Sequence, residues 1–236
     1  MSKNRLASTG CVVGAALVCT QLLSGCASMY QKRSVTGSGF LSDYSQMTNR
    51  GGDTALLSYV APGADLKPYT KILLEPVRAY VSGKDSPMAK LSQEDRQGMV
   101  NTFDEALRDK LNLNFALVRV PGPDVLRMRV AVTEAKGSAV LLDTVSTVVP
   151  VGLAISGVNA MVTGKHLAVG EIGAECEVLD SMTGKRLLAA VDARTGGKLT
   201  LKFDKFSKWH TAKEAFDFWA KQIHERLCEL KGVEAQ

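Results

Sequence analysis

Three histidines, His166, His210 and His224, are the side chains best suited to acid–base chemistry near neutral pH in this chain of 236 residues. His210 and Glu214 lie four residues apart on a predicted C-terminal helix, a spacing that places two metal ligands on one face. No further ligand accompanies them at metal-binding spacing, so the pattern is more typical of a surface pair. A hydrolase would need a polar cleft that holds His210 or His224 beside a carboxylate. We therefore expect neither a metal nor another cofactor.

Motifs for nucleophilic catalysis and phosphate binding are also missing from the sequence. There is no Gly-x-Ser-x-Gly turn for an activated serine. Residues 157–165 end in Gly-Lys but lack the spacing and the following Ser or Thr of a phosphate-binding loop. Arg127 and Arg129 share one face of a predicted strand and could bind an anion, but Glu175 and Glu177 offer them partners across the sheet. We therefore predict a protein that is not an enzyme.

The elements that must position these side chains follow the order strand, helix, two strands, an uncharged run, a hairpin and a final helix. The predicted strands cover residues 69–81, 115–120, 125–135, 171–179 and 186–195. One helix begins after an N-cap at Ser92, and the other carries a capping box of Thr211 and Glu214. This order predicts an α+β fold for residues 53–236: a single domain with a mostly antiparallel sheet, two main helices packed on it and a short apolar helix in a central insertion.

The uncharged run extends from Thr144 to Gly164, which is long enough to cross a bilayer. Proline and glycine interrupt it, and its apolar residues recur at helical spacing instead. The apolar face consists of Val151, Ile155, Val158, Met161 and Val162. The run therefore predicts a helix of about three turns, too short to span the hydrocarbon core. Three interpretations remain open: a cover for the second face of the sheet, a contact surface for a partner or a second copy, and a segment that inserts into a membrane after assembly.

The first 25 residues have the composition of an export signal, with Lys3 and Arg5 before an uncharged stretch from Leu6 to Leu23. The stretch ends in Leu23-Ser24-Gly25-Cys26. This ending resembles the signal of bacterial lipoproteins, in which a peptidase recognises a Leu and two small residues before a Cys. The resemblance implies that Leu23, Ser24 and Gly25 are recognised, that cleavage occurs before Cys26, and that Cys26 is then acylated.

Lipidation at Cys26 defines the expected location of the protein. Several acyl chains on one residue anchor a protein stably, and no Asp follows Cys26 directly, which by analogy with lipoproteins favours the outer membrane. We expect residues 26–52 to form a lipidated tether, in which the apolar residues of the stretch 37–47 pack back onto the domain. The net charge of +5 falls to +3 without Lys3 and Arg5, and no basic stripe for nucleic acid is present.

Cysteines and paired carboxylates leave two questions open. Cys176 and Cys228 remain after the signal and Cys26 are accounted for, and they are either a disulfide or two buried thiols. Asp180 and Asp192 could face each other across the predicted hairpin, although carboxylates at a turn are usually solvated.

Several stretches together resemble the proteobacterial lipoproteins grouped as domain of unknown function 3313. They are SGFLSDYSQM after the signal, YTKILLEPVRAYV, GEIGAECEVLDSMTGKRLLAAVDARTGGK and WHTAKEAFDFWAKQIHERL. The resemblance implies an envelope lipoprotein without an assigned activity, and it supplies no catalytic or binding residues. We therefore expect a lipid-anchored outer-membrane protein that faces the periplasm and acts through protein contacts or self-assembly. A module that binds a small ligand or lipid, in a pocket between the central helix and the sheet, is the alternative.

Overall fold

The computed structural model describes residues 29–49, 55–136, 171–196 and 210–236. Within these ranges, nine strands form one sheet in the order β2-β3-β9-β8-β7-β4-β6, with β1 paired to β9 and β5 paired to β7. The strands are β1 (Met29–Gln31), β2 (Thr48–Asn49), β3 (Leu57–Val60), β4 (Lys71–Leu74), β5 (Arg78–Ala79), β6 (Ala116–Leu117), β7 (Val125–Lys136), β8 (Glu171–Asp180) and β9 (Arg186–Gly196). The helices are α1 (Gln93–Leu111) and α2 (His210–Lys231), and a 3₁₀ turn (Pro87–Lys90) precedes α1.

This arrangement confirms the predicted α+β class, but the sheet is mixed. β7, β8 and β9 pair antiparallel, as expected for a long strand followed by a hairpin. β4 instead runs parallel to both β6 and β7. The chain returns from β4 through α1 before it enters β6 and β7, and a crossover of this kind leaves successive strands pointing the same way. Pro76 lies between β4 and β5, where it ends the first segment of the predicted strand at residues 69–81.

The two helices pack together on one face of the sheet and form the main core with it. The side chain of Ser92 accepts a hydrogen bond from the amide of Asp95, as the predicted N-cap requires. Phe103 of α1 stacks on Phe216 of α2 with ring centroids 4.7 Å apart. The second helix begins at His210, so Thr211 lies inside it rather than at the predicted N-cap. No helix among the described residues has the length and apolar character needed to span a membrane.

The other face of the sheet is covered by residues 35–47, which we call the N-terminal strap. Phe40 and Leu41 of the strap are buried against Ala131, Ala189 and Val191 of the sheet. The predicted packing of residues 37–47 onto the domain is therefore confirmed. Since β1 and β2 flank the strap and pair with β9 and β3, this part of the expected tether belongs to the folded domain.

The strap explains why two glutamates on the face of β8 opposite the helices are buried. Glu175 and Glu177 do point away from the helices, but each is at most 2% exposed. Glu175 accepts hydrogen bonds from the Ser38 amide at 2.7 Å and the Tyr44 hydroxyl at 2.5 Å. Glu177 pairs with Arg129. Both carboxylates are therefore neutralised or hydrogen-bonded within the structure, as burial requires.

Candidate functional site

A groove of about 600 Å³ lies between α2 and the strands β3, β8 and β9. We call it the α2 groove. Its floor residues share one face of the sheet, because strand register places Ser58 opposite Ala190 and Ala190 opposite Cys176. Small side chains at Ser58, Ala174 and Ala190 leave space beneath the helix that larger residues would fill. The volume falls within the range of ligand pockets, which is about 300–1,000 Å³.

One side of α2 forms the wall of the groove. Phe218, Gln222 and Arg226 lie four residues apart, so they follow one another along this side of the helix. Trp219, Ile223 and Leu227 complete the wall, while Phe216 belongs to the main core and does not line the groove. The groove is therefore apolar in its interior and polar along the exposed edge of α2.

Asp192 lines the α2 groove and is held by four donors. Its Oδ1 accepts from the Gln31 side chain at 2.8 Å and the Leu56 amide at 3.3 Å. Its Oδ2 accepts from the indole of Trp219 at 2.8 Å and the guanidinium of Arg194 at 3.2 Å. Because all four donors belong to the protein, this buried carboxylate joins β9 to β1, β3 and α2 instead of presenting a charge to a ligand.

Asp180 does not face Asp192 across the hairpin. Asp192 lies opposite Ala174, and Asp180 stands at the turn, where it accepts a hydrogen bond from Tyr69 at 2.6 Å. Hydrogen bonds from Tyr69 and Thr183 lower the pKa of Asp180. Burial, together with this contact to Asp180, raises the pKa of Tyr69 to about 12. The two carboxylates therefore have separate structural roles, and the pair that the sequence left open does not form.

His224 is buried beside Asn114 and Cys228, a set of residue types that occurs in cysteine hydrolases. Here a single ring nitrogen makes both contacts: Nε2 lies 2.7 Å from Asn114 Oδ1 and 3.5 Å from Cys228 Sγ. Asn114 Oδ1 also accepts from the Gln236 amide, and its Nδ2 donates to the Glu234 carbonyl. Nε2 of His224 is therefore the donor to Asn114 and cannot act as the base for Cys228. A catalytic relay needs both ring nitrogens, so the geometry does not match one.

The pKa of His224 is lowered, chiefly by burial and further by the charge of Lys110, while Glu225 acts in the opposite direction. A group whose pKa is lower in the folded state binds fewer protons than in the unfolded state. We therefore expect the free energy of unfolding to be greatest above the unfolded histidine pKa of about 6.5 and to fall as the pH drops below it. In His224→Gln the slope of the free energy of unfolding against pH should be smaller. The difference is at most what one proton contributes, about 1.4 kcal/mol per pH unit. Urea unfolding at a series of pH values measures both slopes, and equal slopes would contradict the assignment.

The two remaining cysteines are both buried free thiols, which answers the question that the sequence left open. Burial raises the pKa of Cys176 to about 12, and it also raises the pKa of Cys228. Because the thiolate is the reactive form, neither thiol is activated as a nucleophile at neutral pH.

The predicted arginine–glutamate pairs form in part. Arg129 lies directly opposite Glu177 and pairs with it. Arg127 lies opposite Leu179 and turns instead to Glu75 at 2.6 Å, after the end of β4. The anion site considered for Arg127 and Arg129 is therefore occupied by the protein's own carboxylates.

The predicted site residues at the N-terminus and in the central run lie outside the described residues. These are Leu23, Ser24, Gly25 and Cys26, and the contact-surface residues Val151, Ile155, Val158, Met161 and Val162. The same holds for His166. Among the residues that the structure does describe, no group of three or more His, Cys, Asp or Glu side chains is arranged to hold a metal ion.

A family of proteins of unknown function, DUF3313, matches residues 36–223, which include nearly all of the strap, every strand of the sheet except β1, and most of α2. The chain belongs to this family. No curated protein matches the chain.

Two solved structures of PelC dodecamers from Paraburkholderia phytofirmans, one of them a point variant, are similar to the chain. The variant is 12% identical with a TM-score of 0.38, covering 71% of this chain and 94% of PelC. The second is 10% identical with a TM-score of 0.35, covering 75% and 96% respectively. At these TM-scores the likeness supports no conclusion about this DUF3313 protein.

The α2 groove was not found from the sequence of this DUF3313 protein, which predicted a pocket against the central run instead. Its floor residues come from three strands that are far apart in the chain, so no local spacing marks them. The sequence feature that could have indicated the groove is a small residue at each of Ser58, Ala174 and Ala190 on otherwise apolar strand faces. These residues point to a groove only once the strand pairing that brings them together is known.

Proposed function

We propose that this DUF3313 protein is a lipid-anchored lipoprotein of the outer membrane, facing the periplasm, and that it acts without catalysis through protein contacts or self-assembly in the cell envelope. The observation that supports the proposal is the sequence Leu23-Ser24-Gly25-Cys26 directly before the folded domain. β1 begins at Met29, three residues after Cys26, so the fold starts immediately beyond the acylated residue. The domain is therefore held close to the membrane surface.

The contacts within the described fold support a non-catalytic role. The buried histidine, its neighbouring thiol and the buried carboxylates are each engaged in contacts that hold elements together. Asp192 joins β9 to α2, and Glu175 fastens the strap. For protein contacts we propose the apolar face of Val151, Ile155, Val158, Met161 and Val162, which has the regular spacing of an interface helix.

Membrane fractionation and crosslinking of intact cells test the anchor and the contact face together. Wild-type protein should sediment with the outer membrane, and Cys26→Ser should be lost from the outer-membrane fraction because it lacks acyl chains. Crosslinking of the anchored protein should give larger species, and Val158→Asp should lose them because a charge at the centre of an apolar contact is costly to bury. Val120→Asp, at a side chain that is 68% exposed on a loop, is the matched control.

Each arm has its own contradicting result. Cys26→Ser that remains in the outer-membrane fraction would exclude anchoring through that residue. Crosslinked species that are unchanged in Val158→Asp would exclude the central face as the contact surface, whatever the result of fractionation.

A second candidate function, binding of an apolar small ligand, is favoured by one observation. The α2 groove is large enough for such a ligand, and the two buried carboxylates in its lining, Glu175 and Asp192, are hydrogen-bonded by the protein. A thermal-shift series with envelope lipids and apolar metabolites tests it, and the absence of stabilisation by all of them would contradict it.

A further inference from the structure

We propose that the α2 groove binds one acyl chain of a phospholipid from the membrane to which the protein is anchored. The proposal deepens the ligand-binding function given above and, for the source of the lipid, rests on the proposed anchor at Cys26. The binding is non-covalent.

The lining of the groove favours an apolar chain over a polar ligand. Val60, Leu188 and Ile223 contribute aliphatic side chains, and Phe218 and Trp219 contribute aromatic rings. Glu175 and Asp192, the buried carboxylates in the lining, already accept hydrogen bonds from protein donors, four of them at Asp192. A ligand that entered with its own hydrogen-bonding groups would lose their hydration without gaining partners, which costs free energy. An acyl chain carries no such groups and gains by leaving water.

The mouth of the groove matches a zwitterionic headgroup. Arg226 lines the exposed side of α2 together with Glu229, its ion-pair partner, and Glu225, which pairs with Lys221 at 3.7 Å. Arg226 pairs with Glu229 at 2.5 Å, and both side chains of this pair remain substantially exposed to solvent. The guanidinium can therefore meet a phosphate while the carboxylates meet an ammonium group, as in phosphatidylethanolamine. The headgroup stays in water at the rim and the chain lies inside.

The position of the anchor places this groove near the bilayer. Gln31 donates a hydrogen bond at 2.8 Å to Asp192, which lines the groove. Cys26 is five residues before Gln31, so it lies within about 17 Å even if the chain between them is fully extended. A protein held at Cys26 therefore keeps the lining of the groove close to the headgroup layer. Phospholipids of that leaflet are consequently the acyl chains nearest to it.

Quenching of Trp219 by brominated lipid tests the proposal. The chain has two tryptophans, so Trp209→Phe leaves Trp219, in the groove wall, as the fluorescent reporter. The mature chain, residues 26–236 with Cys26→Ser and Trp209→Phe, is mixed with phosphatidylethanolamine vesicles whose acyl chains are brominated or unmodified. We expect a saturable loss of Trp219 emission with the brominated lipid alone, because bromine quenches only at short range.

Groove-filling variants show whether the lipid enters the groove. Ala190→Phe and Ser58→Phe each place a ring on the floor, from two different strands, and both should abolish the quenching. Val120→Phe adds a ring at a surface position outside the groove lining and should quench like the parent protein. Circular dichroism identifies which variants are folded, and a single folded groove variant is sufficient for the comparison.

Two results would overturn the proposal. One is the absence of quenching in the parent protein. The other is equal quenching in the parent protein and in a folded groove variant, which would indicate adsorption of the protein to the vesicle surface. Fractionation of Cys26→Ser in cells decides the anchor separately. If the lipid quenches Trp219 but the anchor at Cys26 fails, lipid binding in the groove stands and only the assigned source of the lipid is overturned. If the anchor holds but no quenching occurs, lipid binding in the groove is overturned.

Discussion

Phe103→Ala is expected to lower the free energy of unfolding by about 3–5 kcal/mol, because it removes a large buried ring from the contact between the two helices. Phe103 is fully buried, stacks on Phe216 and lies 5.9 Å from the ring of Trp219. The cavity left behind would lie where α1, α2 and the sheet meet. Urea denaturation followed by circular dichroism measures the change, with the slope against urea checked for two-state unfolding.

Val120→Ala is the control for this experiment, since that side chain is 68% exposed and its truncation should change stability by no more than about 0.5 kcal/mol. Phe103→Leu should lower the free energy of unfolding by an amount between those of Phe103→Ala and Val120→Ala, because leucine keeps part of the buried volume. A loss below about 1 kcal/mol for Phe103→Ala would mean that the core repacks around the missing ring, contrary to the close stacking described above.

Elements with a regular hydrophobic period were predictable from the sequence. The face of α1 that carries Phe103 and Leu107 is buried as its spacing indicates, and so are Ala174, Cys176 and Val178 of β8. The hairpin turn between β8 and β9 was also correctly placed, with Gly184 at a φ of 69° that glycine adopts without strain. In each of these cases the information lies within about ten consecutive residues.

Features that depend on long-range pairing were not predictable. β3 is four residues long and shows no alternation of burial, since all four of its residues are half-buried. The burial of Glu175 depends on the strap, which lies 131 residues earlier in the chain at Tyr44. An alternating strand reveals two faces but not whether a second layer covers the polar one. For the same reason the α2 groove, built from β3, β8, β9 and α2, has no local signature.

Asp192→Ala is expected to destabilise the fold by about 3–5 kcal/mol, which is the typical cost of removing one partner from a buried ion pair. The carboxylate is 5% exposed and accepts from four donors. Its removal leaves the charge of Arg194 without its partner, in a site where water cannot fully replace the carboxylate. Urea denaturation gives the stability. In a Trp209→Phe background, which leaves Trp219 as the reporter, the emission of Trp219 should shift because its indole loses its acceptor.

The comparison that isolates this effect uses Asp109→Ala, an exposed carboxylate on α1 whose removal should change stability by about 0.5 kcal/mol or less. Asp192→Asn should lower the free energy of unfolding by an amount between those of the two alanine variants. Its amide keeps one acceptor oxygen, but its NH₂ group faces the donors that bind the second oxygen of Asp192. If Asp192→Ala cost no more than Asp109→Ala, the carboxylate would not be what joins β9 to β1, β3 and α2. If Asp192→Ala lost stability but left the emission of Trp219 unchanged, the loss would come from the unpaired charge of Arg194. The surroundings of the indole would then not have changed. Both outcomes can be distinguished in the same denaturation series, since Trp219 reports on the α2 side of the network and the unfolding midpoint reports on the whole.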